Sequence, residues 1–324
     1  MRDGTIRSRA QAGTIPAGYR GDLTVIALDK KKAGLPLVYP YGTQHAPEMI
    51  ADLSRRAMEF RIQVLRMVYN YKTGHIGGAF SAAEIMTALY FHHLRLDPAN
   101  PGWPDRDRLV FSKGHACAIL YTALANRGYF PVEELMTFRA INSRLQGHPD
   151  NHKTPGVEVP AGPLGHGVAI GAGMALAARM DRSKRRIYVV LGDGEINAGV
   201  VWEGAMAAAK YGLDNLKAIL DYNGIQQTGP TAKVLPTEPI ADKWRSFGWH
   251  VIEIHGHNMG QVLDALDEAD EIHARPAVII ARTTKGKGVG FMEYDHYWHG
   301  NPPTAEQFEA ALAELKEGMD RCLS

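Results

Sequence analysis

Between Pro47 and Tyr71 the apolar residues Ile50, Leu53, Ala57, Phe60, Val64, Leu65 and Val68 recur with a helical period and predict one long amphipathic helix. Further along, short unbroken apolar runs take over. Leu109-Val110-Phe111, Ile187 to Leu191, Lys217 to Asp221, His250 to Ile254 and Ala277 to Ala281 read as strands, of the kind buried on both faces. Helices are expected between them at Ala116 to Asn126, Val168 to Met180, Trp202 to Tyr211, Ile240 to Phe247 and Gly260 to Ala274. Ser81 is placed to cap a helix running toward Leu94, with Glu84 at the capping-box position. This alternation predicts an α/β fold, a parallel sheet with helices on both faces. No repeat and no second core is visible, so residues 47–324 are expected to form one domain. Residues 1–46 lack a helical period, contain Gly, Pro and Lys30-Lys31-Lys32, and are expected to be an extension or arm.

Composition narrows the classes of function. The chain has 324 residues, 45% of them hydrophobic, and a formal charge of +1. No basic excess points to nucleic acid, and no run of about 18 apolar residues points to a membrane span. Met1 to Arg9 is too polar for a signal peptide. Cys117 and Cys322 lie far apart and make no metal-ligand cluster, so a reduced, cytoplasmic protein is expected. The 14 histidines are many, and several sit beside glycine. Gln146 to Gly167 is rich in Gly, Pro and His, and loops of that length inside a domain are usually functional.

The sharpest chemical signal is Leu191-Gly192-Asp193-Gly194-Glu195, followed by Asn223 in Asp221-Tyr222-Asn223-Gly224-Ile225. Asp193 would leave one strand and Asn223 the next. Gly192 and Gly194 allow a sharp turn and a close approach to a ligand. A carboxylate and a neutral amide oxygen at adjacent strand ends suit Mg²⁺, a hard cation that bridges phosphates. A Gly-Asp-Gly triplet alone is commonly just a tight turn. Here the spacing to Asn223 and the strand context speak for a metal-bound diphosphate.

Four further motifs extend this pattern: TGHIGGAFSAAEIM around His75, FSKGHACAILYTAL around His115, QGHPD around His148 with AGPLGHG after it, and TTKGKGVGFMEYDHYWHG from Thr283. In this order they resemble the amino-terminal half of transketolase, from about Pro47 to Gly300. Deoxyxylulose-phosphate synthase shares part of the set. The resemblance implies thiamine diphosphate (ThDP) and Mg²⁺ as cofactors. It implies Asp193, Asn223 and the backbone carbonyl of Ile225 as metal ligands, and Gly192 and Gly194 in the turn at the diphosphate. It places His115 and His296 at the diphosphate, Gly162 and Leu164 against the aminopyrimidine, and His75, His148 and His299 beside the reacting sugar as catalytic residues. The resemblance also implies Glu203 among the cofactor-binding residues; a Glu common in the family's acidic cluster, which links its active sites, is replaced here by Ala198.

Transketolases continue for about as long again, through a domain that holds the aminopyrimidine and supplies its activating Glu. The resemblance therefore implies the amino-terminal subunit of a two-gene transketolase. Its partner would be a C-terminal subunit carrying the pyrimidine-binding domain, in an α2β2 assembly. The implied reaction moves a two-carbon ketol unit from a ketose, a sugar or sugar phosphate, to an aldose. Two alternatives stay open: a specialised carboligase acting on a modified sugar, and a non-catalytic regulatory subunit, favoured only by Ala198. Lys285 and Lys287 read equally as phosphate grips or loop lysines, and His166 as site or scaffold. His255 and His257 are expected to be structural, and His92, His93, His152, His250 and His273 to be surface or packing residues.

Overall fold

In a computed structural model, which describes residues 44–322, each of the apolar runs becomes a strand. The strands are β1 (Arg108–Phe111), β2 (Ile187–Gly192), β3 (Leu216–Tyr222), a two-residue hairpin of β4 (Ile225–Gln226) and β5 (Gly229–Pro230), then β6 (His250–His255) and β7 (Ala277–Arg282). One five-stranded sheet forms in the order β1-β2-β3-β7-β6, with every pairing parallel. Register decides where the strands stop. Gly192 lies beside Asp221 and Tyr222 beside Arg282, so Asp193, Asn223 and Thr283 leave three neighbouring strands at the same edge. The chain steps outward from β1 to β3, crosses to the far edge at β6 and returns to β7. Open parallel sheets bind ligands at the carboxyl ends of strands where the order reverses in this way.

Both faces of the sheet are covered, because alternate residues of each strand point to opposite sides. Val189, Leu191, Ala218, Leu220, Val278 and Ile280 pack under the helices His166–Met180, Gly199–Lys210 and Ile240–Ser246. Tyr188, Val190, Ile219, Ile252, Ile279 and Ala281 face Pro47–Tyr71, Cys117–Arg127 and Met259–Glu271. The helix Pro47–Tyr71 has the expected bounds and buries Leu53, Ala57, Phe60, Val64, Leu65 and Val68. Burial of each larger apolar side chain contributes about 1.5–3 kcal/mol. The Ala- and Gly-rich helix His166–Met180 is a close-packing element: a Cβ on Gly171 would meet Val189 Cγ2 at 2.6 Å.

Some local expectations change. Ser81 does not cap a helix. It ends the helix Ile76–Ser81, and its hydroxyl donates to Asp221 at 2.6 Å. Glu84 is drawn away from any cap because its carboxylate takes the Arg61 guanidinium at 2.8 and 2.6 Å. A buried arginine needs an anion more than a helix end needs a cap. The helix at Met259 ends at Glu271, short of Ala274. A further helix, Ala305–Arg321, was not anticipated; Thr304 and Gln307 make its capping box, and Phe308 stacks on Tyr69 with centroids 4.1 Å apart. Apart from residues 44–46, the expected arm lies outside the described residues. No helix among the described residues is long and apolar enough to cross a membrane.

Candidate active site

A cavity of about 360 Å³ opens at the carboxyl edge of the sheet, between the loops that follow β1, β2, β3 and β7. Asp193 lies at its floor and is 2% exposed. Its carboxylate accepts the Gly194 N–H at 2.8 Å and the Gly224 N–H at 2.6 Å. Gly224 reaches it because a φ of +73°, open to glycine, turns the backbone after Asn223. Asn223 and Ile225 line the same cavity; the Asn223 amide oxygen accepts the Ile225 N–H at 3.2 Å, and Lys285 Nζ donates to the Ile225 carbonyl at 3.2 Å. Burial, then the charge of Asp221, pushes the Asp193 carboxyl up to about 7, against the pull of the two amides and Lys285. A dication supplies the counter-charge that this buried carboxylate needs.

Beneath the cavity lies a buried ion pair. Asp221, at the end of β3, accepts from Lys113, Ser81 and Thr283, and Lys113 also donates to the Gly78 carbonyl at 2.9 Å. Asp221 and Lys113 are 0% and 2% exposed. Glu195, also buried, ties three segments together. It accepts from the Ser112 hydroxyl after β1, from the Gly192 N–H at 3.0 Å and from the Gly165 N–H at 2.8 Å. Gly114 lets the loop Gln146–Gly167 close over this edge, since a Cβ there would fall 2.7 Å from Ala161 Cβ.

Three histidines from three loops meet above the floor. The ring of His75 stands edge-on to His115 and His299 at 5.1 and 5.3 Å, and His115 and His299 stack at 5.1 Å. His299 Nδ1 is 2.7 Å from Lys285 Nζ. Burial first, then nearby cations, lowers all three: His75 to about 4, His115 to about 2 and His299 to about 3. Lys285 falls to about 8 by burial and by Lys113. The imidazoles are thus neutral near pH 7, and the Lys113 and Lys285 side chains that add to the lowering would attract an anion. His148 sits exposed at the mouth, lowered by burial and by Arg139.

Of the residues singled out from sequence, Asp193, Asn223, Ile225, Gly192, Gly194, Gly162, Leu164, His75, His115, His148 and His299 line this cavity. His296 does not: its side chain is exposed and its Nδ1 lies 3.7 Å from an Asp295 carboxylate oxygen. Glu203 also lies elsewhere, exposed on the helix Gly199–Lys210 beside a separate apolar hollow with Leu176 and Tyr211. His166 is exposed and outside the cavity. Lys285 and Lys287 separate cleanly, the first buried in the site and the second paired with Glu293 at 3.3 Å. Gly165 packs closely against Ala198, since a Cβ there would fall 2.7 Å from the Ala198 methyl.

Sequence reasoning missed Lys113, Glu195 and Asp221, although each stands within three residues of a motif glycine or histidine. It also passed over the His257 relay, in which Nδ1 meets Glu84 at 2.9 Å and Nε2 accepts the Thr284 N–H at 2.8 Å. That relay braces the loop carrying Lys285.

A family profile described as "Transketolase, thiamine diphosphate binding domain" matches residues 54–321. The chain belongs to the transketolase family. It is 44% identical to the 6-deoxy-6-sulfo-D-fructose transketolase subunit of Clostridium sp. (strain MSTE9), covering 84% of this chain and 99% of that one. It is 41% identical to one subunit of the apulose-4-phosphate transketolase of Phocaeicola vulgatus, covering 84% and 96%. The crystal structure of Campylobacter jejuni transketolase superposes with a TM-score of 0.77 at 32% identity, over 84% of this chain and 45% of that one. The chain therefore spans less than half of that solved transketolase but nearly all of the two subunits.

The residues present fit the transketolase cofactor. Asp193, Asn223 and Ile225 line one cavity, and a carboxylate, an amide oxygen and a carbonyl are hard donors of the kind that suit Mg²⁺. The lysines and the neutral imidazoles, with a buried His75 Nδ1 that has no hydrogen-bond partner among the described residues, suit a polar anionic group.

Proposed function

We propose that this chain is the diphosphate-binding subunit of a ThDP- and Mg²⁺-dependent transketolase, moving a two-carbon ketol unit from a ketose to an aldose. The observation that carries this reading is the convergence of Asp193, Asn223 and the Ile225 carbonyl beside the His75–His115–His299 cluster. Asp193, Asn223 and Ile225 would hold the metal; Lys285 and His115 would face the diphosphate, and Gly162 and Leu164 the aminopyrimidine. When bound, ThDP supplies the carbanion stabilisation that ketol transfer requires. His75 and His299 would stand beside the reacting sugar and act on its hydroxyls. His148, at the mouth, would face the donor sugar as a positioned proton donor. The named substrates of the two relatives carry a sulfo group or a phosphate, so an anionic sugar is the substrate class we favour.

Those relatives are named as subunits, which supports a partner chain; in our reading it holds the aminopyrimidine, the assembly is α2β2 and its place is the cytoplasm. The test is ketol transfer from an anionic ketose, assayed with the purified chain alone and with its partner. Activity should stay at background until the partner is added, because half a cofactor site leaves the reacting carbon exposed to water. Full turnover by this chain alone would overturn the two-subunit reading, and no turnover with the partner present would overturn the transketolase reading.

The histidines should also fail differently. In the complete enzyme, His148→Ala is expected to cut kcat/KM by about 10²-fold with ThDP affinity unchanged, through loss of a positioned proton-transfer group. His115→Ala should weaken ThDP retention first. Kinetics at saturating cofactor, together with a ThDP titration, separates the two; equal loss of cofactor by both variants would refute the division.

A further inference from the structure

Away from the cavity, three segments bring imidazoles and carboxylates to one point. His45 stands just before the helix Pro47–Tyr71, His92 lies in the turn Leu89–His93, and Asp264 and Asp267 are one turn apart on Met259–Glu271. One ligand atom each from His45, His92 and Asp267 gathers within 4.8 Å of the others. His45 Nε2 is 3.1 Å from Asp267 Oδ2 and 3.7 Å from Asp264 Oδ1. Donors bound tetrahedrally at about 2.0–2.1 Å from one metal stand roughly 3.3 Å apart, so these separations bracket a coordination edge. The rings of His45 and His92 meet edge to face, with centroids 5.2 Å apart. No other group of three His, Cys, Asp or Glu among the described residues gathers its ligand atoms so closely.

We propose that His45, His92 and Asp267, with Asp264 in reach as a fourth donor, form a second metal site of Zn²⁺ type. A dication would draw both imidazoles and the carboxylate to one point. A neutral imidazole at His92 would offer a ring-nitrogen lone pair to a metal. Two imidazoles with carboxylates select Zn²⁺ and neighbouring first-row dications over Mg²⁺, which prefers oxygen alone. Such a site is chemically distinct from the oxygen corner at Asp193 and shares no residue with that cavity. It would clip the start of the first helix to Met259–Glu271, the helix that connects β6 to β7.

The test is competitive Zn²⁺ titration of the chelator-stripped full chain against a chromophoric chelator, with His92→Ala, Asp267→Asn and Asp193→Ala run alongside. The wild type and Asp193→Ala should bind Zn²⁺ at this site alike. His92→Ala and Asp267→Asn should bind it more than about 10-fold more weakly, since losing a direct ligand should exceed the roughly 10–100-fold effect of losing an outer-shell partner. Co²⁺ loaded in place of Zn²⁺ should give visible d–d absorption that His92→Ala abolishes. His92 and Asp267 are exposed, so circular dichroism of the metal-free variants should match wild type. Zn²⁺ uptake unchanged in both variants, or none in the wild type, would overturn the proposal.

Discussion

Asp193→Ala is expected to abolish retention of Mg²⁺ and ThDP in the complete enzyme while the chain stays folded. Asp193 is the charged member of the three oxygen donors, and the other two, an amide and a carbonyl, bring no net charge to a dication. Loss of a mere outer-shell partner costs metal affinity about 10–100-fold, so removal of the charged ligand should cost more. The fold should survive because burial and Asp221 already disfavour the ionised carboxylate, so its removal leaves no buried charge unpaired. The same balance sets a pH dependence. With the free carboxyl at about 7, metal must displace a proton at lower pH, so Mg²⁺·ThDP affinity should fall as pH drops below about 7. Calorimetric titration across pH, with circular dichroism of the variant, checks both statements; undiminished cofactor affinity in Asp193→Ala would remove the metal assignment.

Asp221→Ala should be the most destabilising single change at this site, by roughly 3–5 kcal/mol, because it strands the Lys113 ammonium in the interior. It also leaves the Ser81 and Thr283 hydroxyls without their acceptor. Burial alone would raise the Asp221 carboxyl, but Lys113, Ser81 and Thr283 outweigh it and hold it below the usual carboxylate range. A depressed folded-state value stabilises the protein above the unfolded value, near 3.9, and that stability is lost as pH falls through the folded value. The gap between wild type and Asp221→Ala should therefore be full at neutral pH and narrow only below about pH 4. Urea unfolding at pH 7 and at pH 3.5 measures it. The double variant Lys113→Met with Asp221→Ala should recover much of the loss, since neither charge is then left buried alone.

The apolar periods of this chain determined its parallel sheet and the bounds of its first helix. Strands buried on both faces must be continuously apolar, and an amphipathic helix must repeat its apolar side, so both leave a local signature. Glycine, aspartate and histidine at strand ends pointed to the loops around the cavity, because a tight turn and a metal donor are also local demands. What the local pattern left open was partnership between distant residues. Asp221 meets Lys113, Glu195 meets Gly165 and His257 meets Glu84 only because the strand register and the closing loops set them side by side. His296 and His299, only three positions apart, have different surroundings: one ring lies in solvent and the other stacks on His115. Periodicity and spacing record what each segment needs of its own neighbours along the chain; the pairing of buried charges is decided by the three-dimensional packing that brings them together.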